Sequence, residues 1–362
     1  GAPLLSFVDS LSPAMDVVMQ QVDSMRVNVR ALNAALPTFA LDFDMGQNNL
    51  AYDILKASDV DYRNIHGWIR NDSLIGFDFR TDRLSVGTTK TDSISFTGHQ
   101  NGDFLLYNAT MDNKPGTFDE FAHVILRGFL GFNRTSFMMT QHNIKNEQGF
   151  NIGLNADIMD SVLTVHLVPR RPTIAYKDWY LNDSNFISYN LADNHIDADL
   201  RLSNGDSYIK IYTPAHTDSL GHAAHHGHGE AQEDLIVQIA DVKLQDWLSI
   251  NPFAPPVKGD LSANIHLTYV DKLITGTGTI GLTDLYYGKE RVGSFDLGVD
   301  VSNSVGGKLM ADVSLMVDSV KTVTARGVLN DSTLATPFLL DFNMIHFPLE
   351  VANPFLPAGT AK

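Results

Sequence analysis

Phe39-Ala40-Leu41-Asp42-Phe43-Asp44-Met45 sets apolar side chains at 39, 41, 43 and 45 against Ala40, Asp42 and Asp44. A period of two sends successive side chains to opposite faces of a pleated strand, so one face of this segment is dry and the other wet. The same alternation returns at Phe77/Phe79, Ile152/Leu154/Ala156/Ile158, Ile196/Ala198/Leu200/Leu202, Ile265/Leu267/Tyr269, Phe295/Leu297/Val299/Val301, Leu309/Ala311/Val313/Leu315 and Phe338/Leu340/Phe342/Met344. Parallel βαβ sheets would instead show strands apolar on both faces, joined by long helical crossovers. After Pro37 only Thr117 to Leu130 offers a candidate helix or long loop. The fold class is therefore mainly β, antiparallel, with one wet face.

Upstream of Pro37 the period changes. Apolar residues fall at 8, 11, 15, 18, 22, 25, 29, 32 and 36, alternating gaps of three and four, which is one apolar face on a helix. Ser12 and Pro13 offer an N-cap and first turn, and Pro37 supplies the stop. One N-terminal helix over about 13 to 36, lying on a sheet or plugging its end, is expected.

Downstream, Trp247 to Asp260 reads W-L-S-I-N-P-F-A-P-P-V-K-G-D, and its prolines break the strand pattern. Its Asn251-Pro252-Phe253 returns as Asn353-Pro354-Phe355, an offset of 353 − 251 = 102 residues. Trp68 and Trp179 each open W-x-x-N-D-S, an offset of 179 − 68 = 111, and Asn330-Asp331-Ser332 repeats the turn alone. Asn and Asp tolerate left-handed backbone and bond their own main chain, so each N-D-S is expected to join two strands. These spacings suggest stacked units of about 100 residues. The segments read as 1–37 (helix), 38–175, 176–256 with a His-rich loop at 216–234, and 257–362 as successive β segments.

With 44% hydrophobic and 19% charged residues, the 362-residue chain has the balance of a folded protein, not of a disordered one. A net charge of −16 repels phosphate backbones, and no Lys/Arg stripe appears, so nucleic acid is not an expected partner. The absence of cysteine removes disulfides and thiolate chemistry. No apolar run approaches the ~20 residues that span a bilayer.

Motifs of chemistry are sparse. His216, His222, His225, His226 and His228, with Glu230, Glu233 and Asp234 beside them, could hold a transition metal. A Gly-rich loop provides neither fixed ligands nor a second shell, so no metal site is expected. Gly276-Thr277-Gly278-Thr279-Ile280-Gly281 fits the dinucleotide fingerprint, but it is followed by strand-like alternation and not by a helix. Its glycines are better read as bends in a strand. Asp42, Asp44, Asp197, Asp199 and Asp312 each lie between dry-face residues and point to water, not across a cleft. With no G-x-S-x-G elbow, Walker loop or H-E-x-x-H, no enzyme activity and no cofactor are expected.

What remains is the dry face. Strands this numerous, each with a continuous apolar side, must face a second sheet, curl on themselves, or line an apolar channel.

The run W-L-S-I-N-P-F-A-P-P-V-K-G-D-L-S-A-N-I-H-L from Trp247, followed by T-G-T-G-T-I-G-L-T-D-L-Y-Y-G-K-E-R-V-G from Thr275, resembles the TamB family of the AsmA-like superfamily. The later F-P-L-E-V-A-N-P-F-L-P is similar to that superfamily's closing motif, and I-A-Y-K-D-W-Y-L-N-D-S-N-F-I-S-Y-N to its recurrent Trp-Asn segment. The resemblance runs from Phe39 onward and is strongest from Ile174; the N-terminal helix carries no matching motif. It implies an elongated, curled antiparallel sheet, a β-taco with a U-shaped apolar groove. It also implies a parent protein anchored in the inner membrane with its body in the periplasm, of which this chain is an internal piece. The implied function is a conduit carrying phospholipid acyl chains between inner and outer membrane, with a TamA-like barrel assembly protein as partner through parts of the parent not present here. On that reading Ile265, Leu267, Tyr269, Ile280, Leu282, Phe295, Leu297, Val299, Val313, Leu315, Leu340 and Phe342 line the lipid groove. The alternative is an assembly scaffold for outer-membrane β-barrel proteins that offers free strand edges, the dry face being merely core.

Overall fold

The computed structural model describes residues 11–24, 27–87, 89–214, 233–251, 254–270, 273–304, 308–329 and 338–348. The chain is mainly β, 65% strand and 11% helix, with 21 strands in antiparallel sheet. It divides into two compact units, Gly1–Asp178 and Trp179–Lys362.

The first unit opens with two helices, α1 (Ser12–Ser24) and α2 (Val29–Ala35), where the apolar stripe predicted one. The second helix starts afresh because Asn28 is extended and its side-chain oxygen accepts the Ala31 N–H at 2.9 Å. That is an N-cap, which satisfies one of the helix's orphan donors. Val29 is buried. The Asn33 amide donates to Ser73 O at 3.1 Å and to Gln100 Oε1 at 2.6 Å, and the Asn71 amide donates to the carbonyls of Asn33, Leu36 and Pro37. α2 therefore sits on the strand ends and hairpin tips near residues 71–75 and 100.

The strands of this unit are β1 (Phe39–Met45), β2 (Val60–Tyr62), β3 (Ile65–Asn71), β4 (Ile75–Thr81), β5 (Leu84–Val86), β6 (Thr89–Thr91) and β7 (Ser93–Asn101). They continue as β8 (Phe104–Asp112), β9 (His123–Leu130), β10 (Arg134–His142), β11 (Gln148–Met159), β12 (Val162–Ile174) and β13 (Lys177–Asp178). Antiparallel pairing runs β1-β3-β4-β7-β8-β9-β10-β11-β12-β13, while β2, β5 and β6 form a small separate sheet. Between β1 and β2 lies α3 (Leu50–Ala57), a helix the period-two reading did not anticipate. Thr117–Leu130 is not a helix: after a single 3-10 turn at Asp119–Phe121 it becomes β9, because its Val124-Ile125-Leu126 run finds partners on both β8 and β10.

In the second unit β14 (Tyr180–Leu181) and β15 (Phe186–Asn190) both pair with β16 (Ile196–Asn204). From there a meander runs through β17 (Ser207–Tyr212), β18 (Glu233–Lys243), β19 (Val257–Val270), β20 (Leu273–Tyr287), β21 (Glu290–Ser304), β22 (Lys308–Val317), β23 (Val320–Leu329) and β24 (Phe338–Met344). The proline-broken stretch connects β18 to its neighbour β19 and begins with a short helix, α4 (Leu244–Leu248), so pairing continues on both sides of it. Trp247 packs edge-on against Trp179, ring centroids 5.6 Å apart.

The turns follow the expected chemistry where they are described. Asp72 Oδ1 accepts the Ser73 N–H at 2.6 Å between β3 and β4, and Asn182 to Ser184 separate β14 from β15. The Asn182 side chain is held on β16, accepting from Arg201 N–H at 2.9 Å and donating to Asp199 O at 2.9 Å. Asn330-Asp331-Ser332, Pro252-Phe253 and Asn353-Pro354-Phe355 lie outside the described residues.

Candidate functional site

Register converts the alternating strands into rows. In the second unit one row runs Leu200, Ile211, Val237, Ile265, Gly278, Val299, Val313, Ala325, Phe342 from β16 to β24, each residue directly opposite the next. The row beside it runs Leu202, Ile209, Ile239, Ala263, Ile280, Leu297, Leu315, Val323, Met344. Two shorter rows flank these: Leu235, Leu267, Gly276, Val301, Ala311, Gly327, Leu340 on one side and Leu261, Leu282, Phe295, Val317 on the other. A period of two makes all four rows one face.

Eleven of the twelve residues expected to line a groove thus share this face. The twelfth, Tyr269, is opposite Ile274 on the β19–β20 pair, and its side chain is outside the described residues. Ile265, Leu267, Ile280, Leu282, Phe295, Leu297, Val299, Val313 and Leu315 are half-buried, while Leu340 and Phe342 on β24 are 58% and 59% exposed. The expectation omitted Ile209, Ile211, Leu235, Val237, Ile239 and Val323. The alternation in Ser207-Tyr208-Ile209-Lys210-Ile211-Tyr212 was the signal for the first two.

The first unit has an equivalent face. Its rows run Leu41, Ile69, Phe77, Gly98, Tyr107, Gly128, Phe137, Leu154, Leu167 and Phe43, Gly67, Phe79, Phe96, Ala109, Leu126, Met139, Ile152. Phe77 and Phe96 pack at 4.8 Å between centroids and Phe43 and Phe79 at 5.7 Å. Glycine gives these rings room: a Cβ on Gly67 would stand 2.5 Å from the Phe43 ring, and one on Gly98 would overlap the Phe77 ring. The aromatic side chains cover the gaps, so glycine does not interrupt the apolar surface.

The opposite faces carry the ion pairs, and that of the first unit also bears Trp68, Leu106, Ile125, Phe129 and Met138. Asp42 meets Arg70 at 2.9 Å, Asp44 meets His66 at 3.2 Å, Asp312 meets Arg326 at 2.7 Å and Asp199 meets Arg201 at 2.9 Å, most of these side chains well exposed. Such exposed pairs contribute little stability. A cavity of about 850 Å³ lies on the polar side of β19–β24, lined mainly by side chains such as Asn264, Thr279, Asp300, Ser314, Thr324 and Arg326. Of the twelve expected groove residues only Val299, Val313 and Phe342 contribute to it. The apolar rows thus form a face apart from this hollow.

Gly276 to Gly281 lies inside β20, paired on both sides. It is a strand interior, and a Cβ at Gly276, where φ is +155°, would collide with His266 O. Among the described residues no group of three or more His, Asp or Glu is placed to hold a metal ion. The histidines from His216 to His228 lie outside the described residues. No protein-family model, no curated protein and no solved structure matches the chain.

Proposed function

We propose that the chain is a conduit segment that holds phospholipid acyl chains on its apolar sheet faces, in the periplasm, within a parent protein of the TamB type anchored in the inner membrane. The observation that carries this reading is the apolar row system of each unit, half-buried in mid-sheet. A lipid tail needs no more than this: each methylene taken from water contributes about 0.8 kcal/mol, so ten of them give about 8 kcal/mol before ordering costs. Selectivity among tails is low on such a surface.

Purification without detergent followed by lipid mass spectrometry tests the proposal. Stoichiometric phospholipid on the protein is the expected result. A lipid-free, monodisperse preparation that also extracts nothing from phospholipid vesicles overturns it.

One feature favours a second reading. β24 pairs with β23 alone among the described residues, and it exposes Leu339, Leu340, Phe342 and Met344 on both of its faces. A free, apolar edge can receive another strand, which suits a scaffold for barrel precursors. Crosslinking from Asn343 to a barrel precursor, with no lipid bound, would favour the scaffold.

A further inference from the structure

A recess of about 550 Å³ in the first unit gathers Arg63, Arg83, Lys90 and Lys114. Four basic residues thus line one recess in a chain of net charge −16. Among the described residues no side-chain hydrogen bond engages any of the four, while Lys114 and Arg83 interact electrostatically with Asp92. Three carboxylates, Asp82, Asp92 and Asp112, share the recess, so four cations against three anions leave it one net positive charge. Asp92 accepts the Lys114 N–H at 2.7 Å, Asp82 accepts the Asn64 amide at 2.9 Å, and Asp112 meets His123. The small β2-β5-β6 sheet presents three of the cations, since Arg63 follows β2, Arg83 precedes β5 and Lys90 lies in β6. The Arg63 N–H donates to Arg83 O at 3.0 Å, fixing those two backbones together. Lys114 is positioned by Asp92 and by Asn113, whose side chain accepts the Asp92 N–H at 2.8 Å and donates to Phe121 O at 2.6 Å.

The location gives the recess its meaning. Ser93 and Asp112, which line it, form the last β7–β8 pair, and the next pair inward is Ile94 with Met111. Ile94 is in phase with Phe96 and Gly98, and Met111 with Ala109 and Tyr107, so this pair belongs to the apolar face. Charge and grease meet here at one strand-end rim.

We infer that the recess is a phosphate-ester site, in which Arg63, Arg83, Lys90 and Lys114 hold the phosphoryl oxygens by charge-assisted hydrogen bonds. For a phospholipid, the tails would leave it along the Ile94–Met111 end of the apolar face. That last step rests on the conduit reading; the phosphate site itself does not.

The test is calorimetric titration of the whole chain with glycerol 3-phosphate and, separately, with a dihexanoyl phospholipid below its micelle concentration. The variants are Arg83→Ala/Lys114→Ala and Met111→Asp, each checked for an unchanged circular dichroism spectrum. The double variant is expected to weaken both ligands about tenfold or more, as loss of two charge-assisted contacts should. Met111→Asp should weaken only the phospholipid. If glycerol 3-phosphate binds and the phospholipid does not, the phosphate site stands and the lipid source is refuted, together with the conduit reading for this unit. If the phospholipid binds equally well to wild type and to Arg83→Ala/Lys114→Ala, the inference is overturned while the conduit reading survives. No binding of either ligand overturns both.

Discussion

Leu297 and Leu315 face each other across β21 and β22, in the middle of the row Ile280, Leu297, Leu315, Val323. Replacing both by Asp sets two carboxylates on the strip where an acyl chain would cross it. Taking about two methylenes of contact per leucine, the lost burial is about 4 × 0.8, or roughly 3 kcal/mol, which is about a hundredfold in affinity. Desolvating the new charges under a lipid tail adds to that figure. The cost to the fold is comparable, about 2–3 kcal/mol: about 1 kcal/mol for each half-buried leucine, plus about 0.2–1 kcal/mol for like charges directly opposite each other. The β21–β22 ladder, continuous from Phe295 opposite Val317 to Ser304 opposite Lys308, should hold. Met316→Asp is the control, since Met316 is 37% exposed on the other face of the same strand. The assay is uptake of a fluorescent phospholipid from vesicles, read after gel filtration, with a melting curve for each variant. Undiminished uptake by the double variant, still folded, would refute the assignment of the strip.

Three further outcomes follow from the packing. Asn28→Ala removes the cap on α2 and should cost about 1 kcal/mol, seen as faster amide exchange across residues 29–35, with Asn28→Asp largely restoring protection. Gly98→Val drives a side chain into the Phe77 ring and should lower stability by about 1–3 kcal/mol in urea melts. Gly116→Ala, in open space at φ +86°, should cost about 1–2 kcal/mol through backbone strain alone. The third outcome concerns pH. A hydrogen bond from Arg291, followed by one from the Ser294 N–H, holds the Asp318 carboxyl below its ordinary 3.8. Its stabilisation is therefore present above the unfolded value and lost as pH falls through the lower folded one. Asp318→Asn should melt below wild type at neutral pH, and the gap should close as the pH drops beneath the ordinary carboxyl value.

Which side chains would share an apolar face was legible from alternation alone, as in Phe39 to Met45 and Phe295 to Val301, because a strand's period is a local property. The rows were not legible. Nothing in Ile265 announces that it stands opposite Val237 on one side and Gly278 on the other; turn lengths and bulges, such as the shift between Ile239 and Val242, decide that. Glycine also hid the continuity, since Gly67 and Gly98 look like gaps until the rings of Phe43 and Phe77 are seen across them. α3 escaped because its run, Leu50–Ala57, is eight residues long, too short to repeat a helical period. The break before α2 escaped for the opposite reason. The apolar stripe runs through Asn28 undisturbed, and a cap has no period. The cationic recess was invisible as well, its four residues being spread from Arg63 to Lys114 and joined only by the small sheet.

Burial along the strip separates a filled core from an open face. Ala198 and Leu202 on β16 are each 1% exposed, as side chains are beneath a packed layer. Across β19 to β22 the strip residues Ile265, Ile280, Leu297 and Leu315 are only half-buried, although each has a strand on both sides. On β24, with a described partner on one side only, Leu340, Phe342 and Met344 rise to 58%, 59% and 52%. Exposure that climbs when one lateral neighbour is missing means that the neighbours supply most of the cover. Apolar side chains left in this state gain about 25 cal/mol for each Å² covered, and whatever covers them must be as long as the rows and as indifferent to side-chain detail as they are. An acyl chain meets both conditions without requiring any residue to be placed for chemistry. An incoming strand meets them only at the β24 edge, where its hydrogen bonds would be made, and it would leave the middle of the strip uncovered.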